Sequence, residues 1–194
     1  MNHPTPAVPS EVSLRRATLE DLPAIQELIP ISCHGLQSQC YTREQIDAAL
    51  GPVFAVDRQL ILDQTYYVAE APGELVGSAG WSRRRSLFGG DATRQGSDPL
   101  LDPSCEAARI RAFFIHPGWA RRGIGRAFLA LCESAIREAG FRRIDLVATL
   151  AGEPLYATHG FTPLSRFSIP LAGGVALPVV SMFKPLTGEA PPAS

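Results

Sequence analysis

Between Arg109 and Ala127 the chain reads R-I-R-A-F-F-I-H-P-G-W-A-R-R-G-I-G-R-A, with Gly123 and Gly125 set among Arg121, Arg122 and Arg126. Ile110, Phe113, Phe114 and Ile115 supply the β-branched and aromatic residues of a buried strand. His116-Pro117-Gly118 breaks that strand and a helix pattern follows at once. A helix start leaves its first N–H groups without partners and carries about half a positive charge. Glycine lets a ligand approach those donors closely, and arginine adds formal charge beside them. The chemistry implied is an anion cradle for a phosphate or pyrophosphate. Glycine and arginine at a helix start also serve turn geometry and solubility, so the loop alone is a weak signal. A Walker A loop is excluded because Ile124 follows Gly123, and the dinucleotide fingerprint fails at Phe128.

Other residues offer proton chemistry. Tyr156 lies in Leu155-Tyr156-Ala157-Thr158-His159-Gly160-Phe161, where a packed aromatic and a proton donor are both open readings. Glu70, Glu106, Glu153, His116 and His159 are candidate bases, with Glu106 ranked first because it immediately precedes the central strand. Each carboxylate taken singly is an ordinary surface group, and a water relay without a dedicated base is an alternative. Arg83 and Arg85 share a face if their segment is extended, and Arg111 follows Arg109 at the same spacing. Convergence of Arg83, Arg85 and Arg111 on one cleft predicts an acceptor carrying a carboxylate or phosphate. A solvated strand end is the bland alternative.

Two ordered motifs resemble the GNAT superfamily of acyl-CoA-dependent N-acyltransferases. The first is Ile115-His116-Pro117 followed by Ala120-Arg121-Arg122-Gly123-Ile124-Gly125 and a helix; the second is the Leu155-to-Phe161 segment. Ala120 stands where the family carries Arg or Gln, and Arg122 offers an overlapping register ending at Ala127. The resemblance covers roughly Tyr66 to Phe161. It implies acetyl-CoA as co-substrate, with no metal, and a small-molecule or peptide amine as acceptor. It further implies that Arg121, Arg122, Gly123, Ile124, Gly125, Arg126 and Ala127 hold the pyrophosphate. Main-chain groups of Phe114 and Ile115, with Phe113 as a third candidate, would receive pantetheine and the developing oxyanion, on a strand splayed from its neighbour. Tyr156 would protonate the departing thiolate. A non-catalytic acyl-CoA sensor is the alternative on the same motifs.

The elements that must position these residues follow from periodicity. Ser13 to Ala17 reads as a strand, and Thr18 caps a helix with an apolar stripe at Leu22, Ile25, Leu28 and Ile29 that stops before Pro30. Thr42 and Gln45 form a capping box for a helix to Leu50. Thr65 to Glu70 and Leu75 to Trp81 flank a proline-glycine turn. A loop from Leu87 to Glu106 leads into the central strand. The helix from Arg122 to Ala139 buries Ile124, Phe128, Leu131, Cys132 and Ala135 and turns Arg126, Glu133 and Arg137 outward. A strand (Ile144 to Ala148), a short helix (Glu153 to Thr158) and two strands (Phe161 to Ile169, Val175 to Phe183) complete the chain. The order predicts an α/β fold: one twisted mixed sheet of about seven strands with helices on both faces.

The 194 residues suit one domain, expected at 12–185 between flexible segments at 1–11 and 186–194. A formal charge of −1 argues against bulk attraction to nucleic acid. No apolar run approaches the ~20 residues of a membrane span. The first residues show no signal-peptide pattern, and the four cysteines make no Cys-x-x-Cys pair, so a reduced cytoplasmic setting is expected. A monomer or homodimer is expected.

Overall fold

The computed structural model describes residues 8–86, 88–90 and 98–186. Leu87 and residues 91–97 of the expected long loop, with residues 1–7 and 187–194 of the expected flexible ends, lie outside the described residues. In chain order the elements are β1 (Ser13–Arg16), α1 (Leu22–Gln37), α2 (Arg43–Ala49), α3 (Arg58–Leu62), β2 (Tyr66–Ala71), β3 (Glu74–Ser82) and β4 (Ala108–Ile115). They continue with α4 (Ile124–Glu138), β5 (Arg143–Thr149), α5 (Glu153–Thr158), β6 (Thr162–Pro170) and β7 (Ala176–Pro185). The strands form one sheet in the order β1-β2-β3-β4-β5-β7-β6, antiparallel except for the parallel β4–β5 pair. This is the mixed α/β sheet expected, with one core layer on each face. Ile124, Phe128, Leu129, Cys132 and Ile136 of α4 pack on Ile110, Ile144 and Leu146. On the other face Ile25, Leu28, Ile46 and Leu60 of α1 to α3 meet Tyr66, Val68 and Phe114.

Three expectations need correction. The helix α1 does not stop before Pro30 but runs through it to Gln37. Proline removes one helical donor and costs about 3 kcal/mol, yet Ser32, Cys33 and Gln37 extend the stripe begun by Ile25, Leu28 and Ile29 and are buried with it. Burial outweighs the break. Glu133 faces inward, because Lys184 on β7 reaches it at 2.6 Å and Arg137 at 3.1 Å. At the ends, Val8 packs against the core and the Val12 N–H donates to Pro9 O at 2.8 Å, while Leu186 is buried with its N–H on Arg142 O. The ordered unit therefore extends beyond 12–185.

The central strand is bent at one point. Across β3 and β4, Ser78 opposes Phe114 and Gly80 opposes Arg111, so Ala112 and Phe113 stand against Ala79 alone. This is a β-bulge. Ala112 carries φ 58, a left-handed conformation that strains a residue with a Cβ. The buried Tyr66 hydroxyl supports the kink from beneath, 3.1 Å from Ser78 Oγ and 3.4 Å from the Ala112 carbonyl. Pairing between β4 and β5 covers Ala108 to Ile110 and goes no further. Beyond the bulge the two parallel strands part.

Candidate active site

The divergence opens a gap through the sheet, a cavity of about 100 Å³. One side is lined by Phe113, Gly152 and Tyr156, the other by Val53, Phe54, Ala55, Phe88 and Gly89, with Val147 and Thr149 along β5. The His116 N–H donates to Val76 O and Phe114 pairs with Ser78, so by alternation these residues turn their main-chain groups to β3. Phe113, which lines the gap, and Ile115 turn theirs away from β3. Phe114 thus offers the gap its ring and not its main chain, which corrects one expected contact. The Ile115 N–H is already engaged, donating to Oγ of the buried Ser32 on α1 at 3.0 Å. Ser32 was not anticipated, since a serine in an apolar helix stripe carries no signal of a partner 83 residues away.

The stretch expected to form the cradle lies where α4 begins. His116 caps the short turn Pro117–Trp119, with its Nδ1 accepting from the Gly118 N–H at 3.2 Å. Its role is turn geometry. Arg121 then takes φ 63 and Gly123 φ 88, and Gly123 is the N-cap residue of α4 with no side-chain cap. Left-handed backbone costs about 1–2 kcal/mol for a residue with a Cβ, which explains glycine at position 123. Such alternation turns successive N–H groups into one concavity. Among the described residues, none of the main-chain N–H groups from Arg121 through Arg126 has an acceptor. The Ala127 N–H donates to Gly123 O at 3.0 Å, so the open set ends one residue earlier than expected. Arg121 and Arg126 are exposed; Arg122 lies over the Trp119 ring, 4.8 Å from its centroid, and 4.0 Å from Glu11. At Gly125 a Cβ would come within 3.2 Å of Leu155, the residue before Tyr156.

Tyr156 is 8% exposed and sits edge-on to Phe113 and Phe161, with centroids 6.0 and 5.7 Å away. Burial, with nearby Cys132 adding to it, pushes its phenol well above the usual tyrosine range. The hydroxyl stays protonated and has no hydrogen-bond partner among the described residues. It is both a packed aromatic and an available donor.

Four other expected residues do not join them. Glu106 lies before the first residue of β4, its Oε2 accepting from the Asp102 N–H at 2.8 Å and its Oε1 3.2 Å from Arg85. It stands four positions before Ile110, where the gap begins, and is not among the described residues that line the gap. Arg111 is not open to a ligand. Its side chain is 4% exposed, 3.0 Å from Asp57 Oδ2, and it donates to Ser86 O at 3.0 Å and to Gly89 O. Arg83 and Arg85 are exposed on the outside of the same turn. Arg84, between them, grips Asp63 at 2.6 Å, while Arg109 pairs with Asp145. The expected convergence of Arg83, Arg85 and Arg111 is therefore absent.

No helix among the described residues is long and apolar enough to cross a membrane, and no group of metal-binding side chains is found among them. The chain is similar in fold to several solved proteins. A GCN5-related N-acetyltransferase from Rhodopseudomonas palustris is 20% identical with a TM-score of 0.68, over 91% of this chain and 97% of that one. The yncA protein of Salmonella typhimurium, solved with acetyl-CoA, is 19% identical with a TM-score of 0.60, over 95% and 99%. The PaiA N-acetyltransferase of Thermoplasma acidophilum, solved with coenzyme A, is 15% identical with a TM-score of 0.59, over 90% and 98%. A search of curated proteins gives no match. The family model of the acetyltransferase (GNAT) domain matches residues 63–163, from the end of α3 past the Tyr156 segment, and the chain belongs to that family of acyltransferases.

Proposed function

We propose that this chain transfers the acetyl group of acetyl-CoA to a primary amine by direct attack. In this reaction the thioester supplies an acyl carbon whose C–S bond breaks as the C–N bond forms, and the amine gives up one proton. The open N–H groups from Arg121 to Arg126 hold the pyrophosphate, with Arg121 and Arg126 beside them as mobile charges. The Phe113 N–H, turned away from β3, is the donor for the carbonyl oxygen as it gains charge. Ser32 fixes the Ile115 amide and through it the far end of the splayed strand.

Tyr156 donates a hydrogen bond to the leaving sulfur. An ordinary thiol has a pKa near 8.5, and the Tyr156 phenol lies far above that. Its proton stays mostly on oxygen, so its contribution is a charge-assisted hydrogen bond of about 1.5–3 kcal/mol, not full proton transfer. Glu106 takes no part, and water receives the amine proton.

The observation that carries the proposal is the pairing of amides open among the described residues with a gap whose near wall holds a protonated Tyr156, its hydroxyl without a hydrogen-bond partner among those residues. Fluorescent detection of free thiol during incubation with acetyl-CoA and an amine library tests it. Amine-dependent thiol release with an equal amount of N-acetyl product is expected. Coenzyme binding without any product would mark a sensor instead and overturn the proposal.

A further inference from the structure

The gap is lined by residues from both core layers, and the two sides differ in chemistry. Tyr156 and the start of α4 occupy one. On the other, Phe54 and Ala55 line both the gap and an adjoining recess of about 370 Å³, whose remaining walls are Ile29, Pro30, Leu50 and Val56 with Gln26. That volume is within the range of small-molecule sites. We infer that the acceptor is a primary amine on an uncharged aromatic or alkyl body, seated against Val53, Phe54 and Phe88 with that body in the recess. The inference rests on the N-acetyltransferase reading and deepens it.

The charge balance of the walls decides the class. Among the described lining residues of the gap and recess, Arg111 alone is ionic, and Asp57 neutralises it. An acceptor with a carboxylate or phosphate would have to bury that charge against apolar walls, and a polyamine would bury a second ammonium with no carboxylate among the described lining residues to meet it. Either costs several kcal/mol. Arg83 and Arg85, which would suit an acidic acceptor, are on the outer surface. One polar handle remains. Pro30 has no N–H to give the Gln26 carbonyl, and both residues line the recess, so one main-chain acceptor lacks its helical donor there.

The same walls bear on the missing base. An alkyl amine with an ordinary pKa near 10.4 is neutral in fewer than about one molecule per thousand at pH 7. Apolar surroundings disfavour its charged form and lower that pKa. The nucleophile can thus be generated by desolvation, with the proton released to water as the amine enters.

The walls are held firmly enough to select. Asp57 caps α3 by accepting from the Gln59 N–H at 3.0 Å, and Arg111 ties it to the Ser86 and Gly89 carbonyls. Gly90 lies so close to the Val56 carbonyl that no Cβ would fit. One guanidinium therefore joins the bulged strand, the Phe54–Ala55 wall and the Phe88–Gly89 wall.

The test is a set of kcat/KM values for acetyl transfer to 2-phenylethylamine, tryptamine and isoamylamine against spermidine, glutamate and O-phosphoethanolamine. We expect the apolar amines to lead by about tenfold or more. Val53→Asp, at a half-buried wall position, is expected to lower the apolar amines about tenfold and raise spermidine, with CoA affinity unchanged. Preferential turnover of spermidine, glutamate or O-phosphoethanolamine would overturn this inference while leaving the N-acetyltransferase reading intact, as would a Val53→Asp variant of unaltered preference. Failure to bind CoA would overturn both.

Discussion

The two mouths of the gap are built by different means. The mouth proposed for the coenzyme is local: Gly123 and Gly125, the left-handed turns at 121 and 123, and the open amides up to Arg126 all come from one short stretch. The mouth proposed for the acceptor is assembled from α1, the segment before α3, Phe88 and Gly89, and the bulge of β4, joined by the Arg111–Asp57 pair 54 positions apart in the chain. Main-chain recognition of a phosphate needs only backbone conformation, which a short motif specifies. A pocket for a variable acceptor needs side chains brought together by the whole fold. The first is readable in one dimension and the second is not.

The largest effect should come from breaking the long-range device. Arg111→Met leaves Asp57 buried without its cation, and removing one member of such a pair costs about 3–5 kcal/mol. Urea unfolding should show that loss, and adding Asp57→Asn should restore most of it. Equal losses for the single and double variants would show that the pair does not join the walls. Tyr156→Phe removes the donor to sulfur and little packing. We expect kcat to fall about 10- to 100-fold with the KM for acetyl-CoA nearly constant; an unchanged kcat would leave Tyr156 a packing residue only.

How far the chain could be read before folding follows the same division. The Thr42–Gln45 capping box, the α5 boundaries and the glycine at the start of α4 lie within a few residues of the groups they serve. The departures depend on distant partners. Glu133 turns inward because Lys184 arrives from β7, and Pro30 is overruled by burial on both sides of it. The bulge had no glycine to mark it, since Ala112 takes the left-handed conformation with Tyr66 beneath it. The short helix α3 did carry a cue in Asp57 before Arg58-Gln59-Leu60-Ile61-Leu62, but five residues show no period. Arg111 reads in the sequence as a residue of the acceptor cleft, because its partner Asp57 is far away in the chain.

Ser32→Ala sharpens the comparison further, because this hydroxyl is where the acceptor-side helix touches the splayed strand. The Ile115 N–H would lose its acceptor, at a cost of about 1–3 kcal/mol in unfolding free energy. A loss below about 0.5 kcal/mol would mean that the amide finds water instead. The smallest effect belongs to Asp63. Burial raises its carboxyl pKa, but hydrogen bonds from Arg84 and Gln59 outweigh that and hold it below the usual range. Stability from the pair is therefore complete above the ordinary carboxylate pKa near 3.9 and is lost as pH falls through the lower folded value. Arg84→Met should flatten the acid limb of the stability profile by about 1 kcal/mol, and an acid limb parallel to that of the parent would contradict the assignment.

Calorimetric titration of CoA into the parent protein and into Gly123→Ala and Gly125→Leu addresses the cradle itself. The parent should bind one CoA per chain, and each variant, with its fold verified by circular dichroism, should bind at least about tenfold more weakly, a difference of 1.4 kcal/mol. Equal affinity in all three proteins would show that the pyrophosphate does not rest on the amides between Arg121 and Arg126.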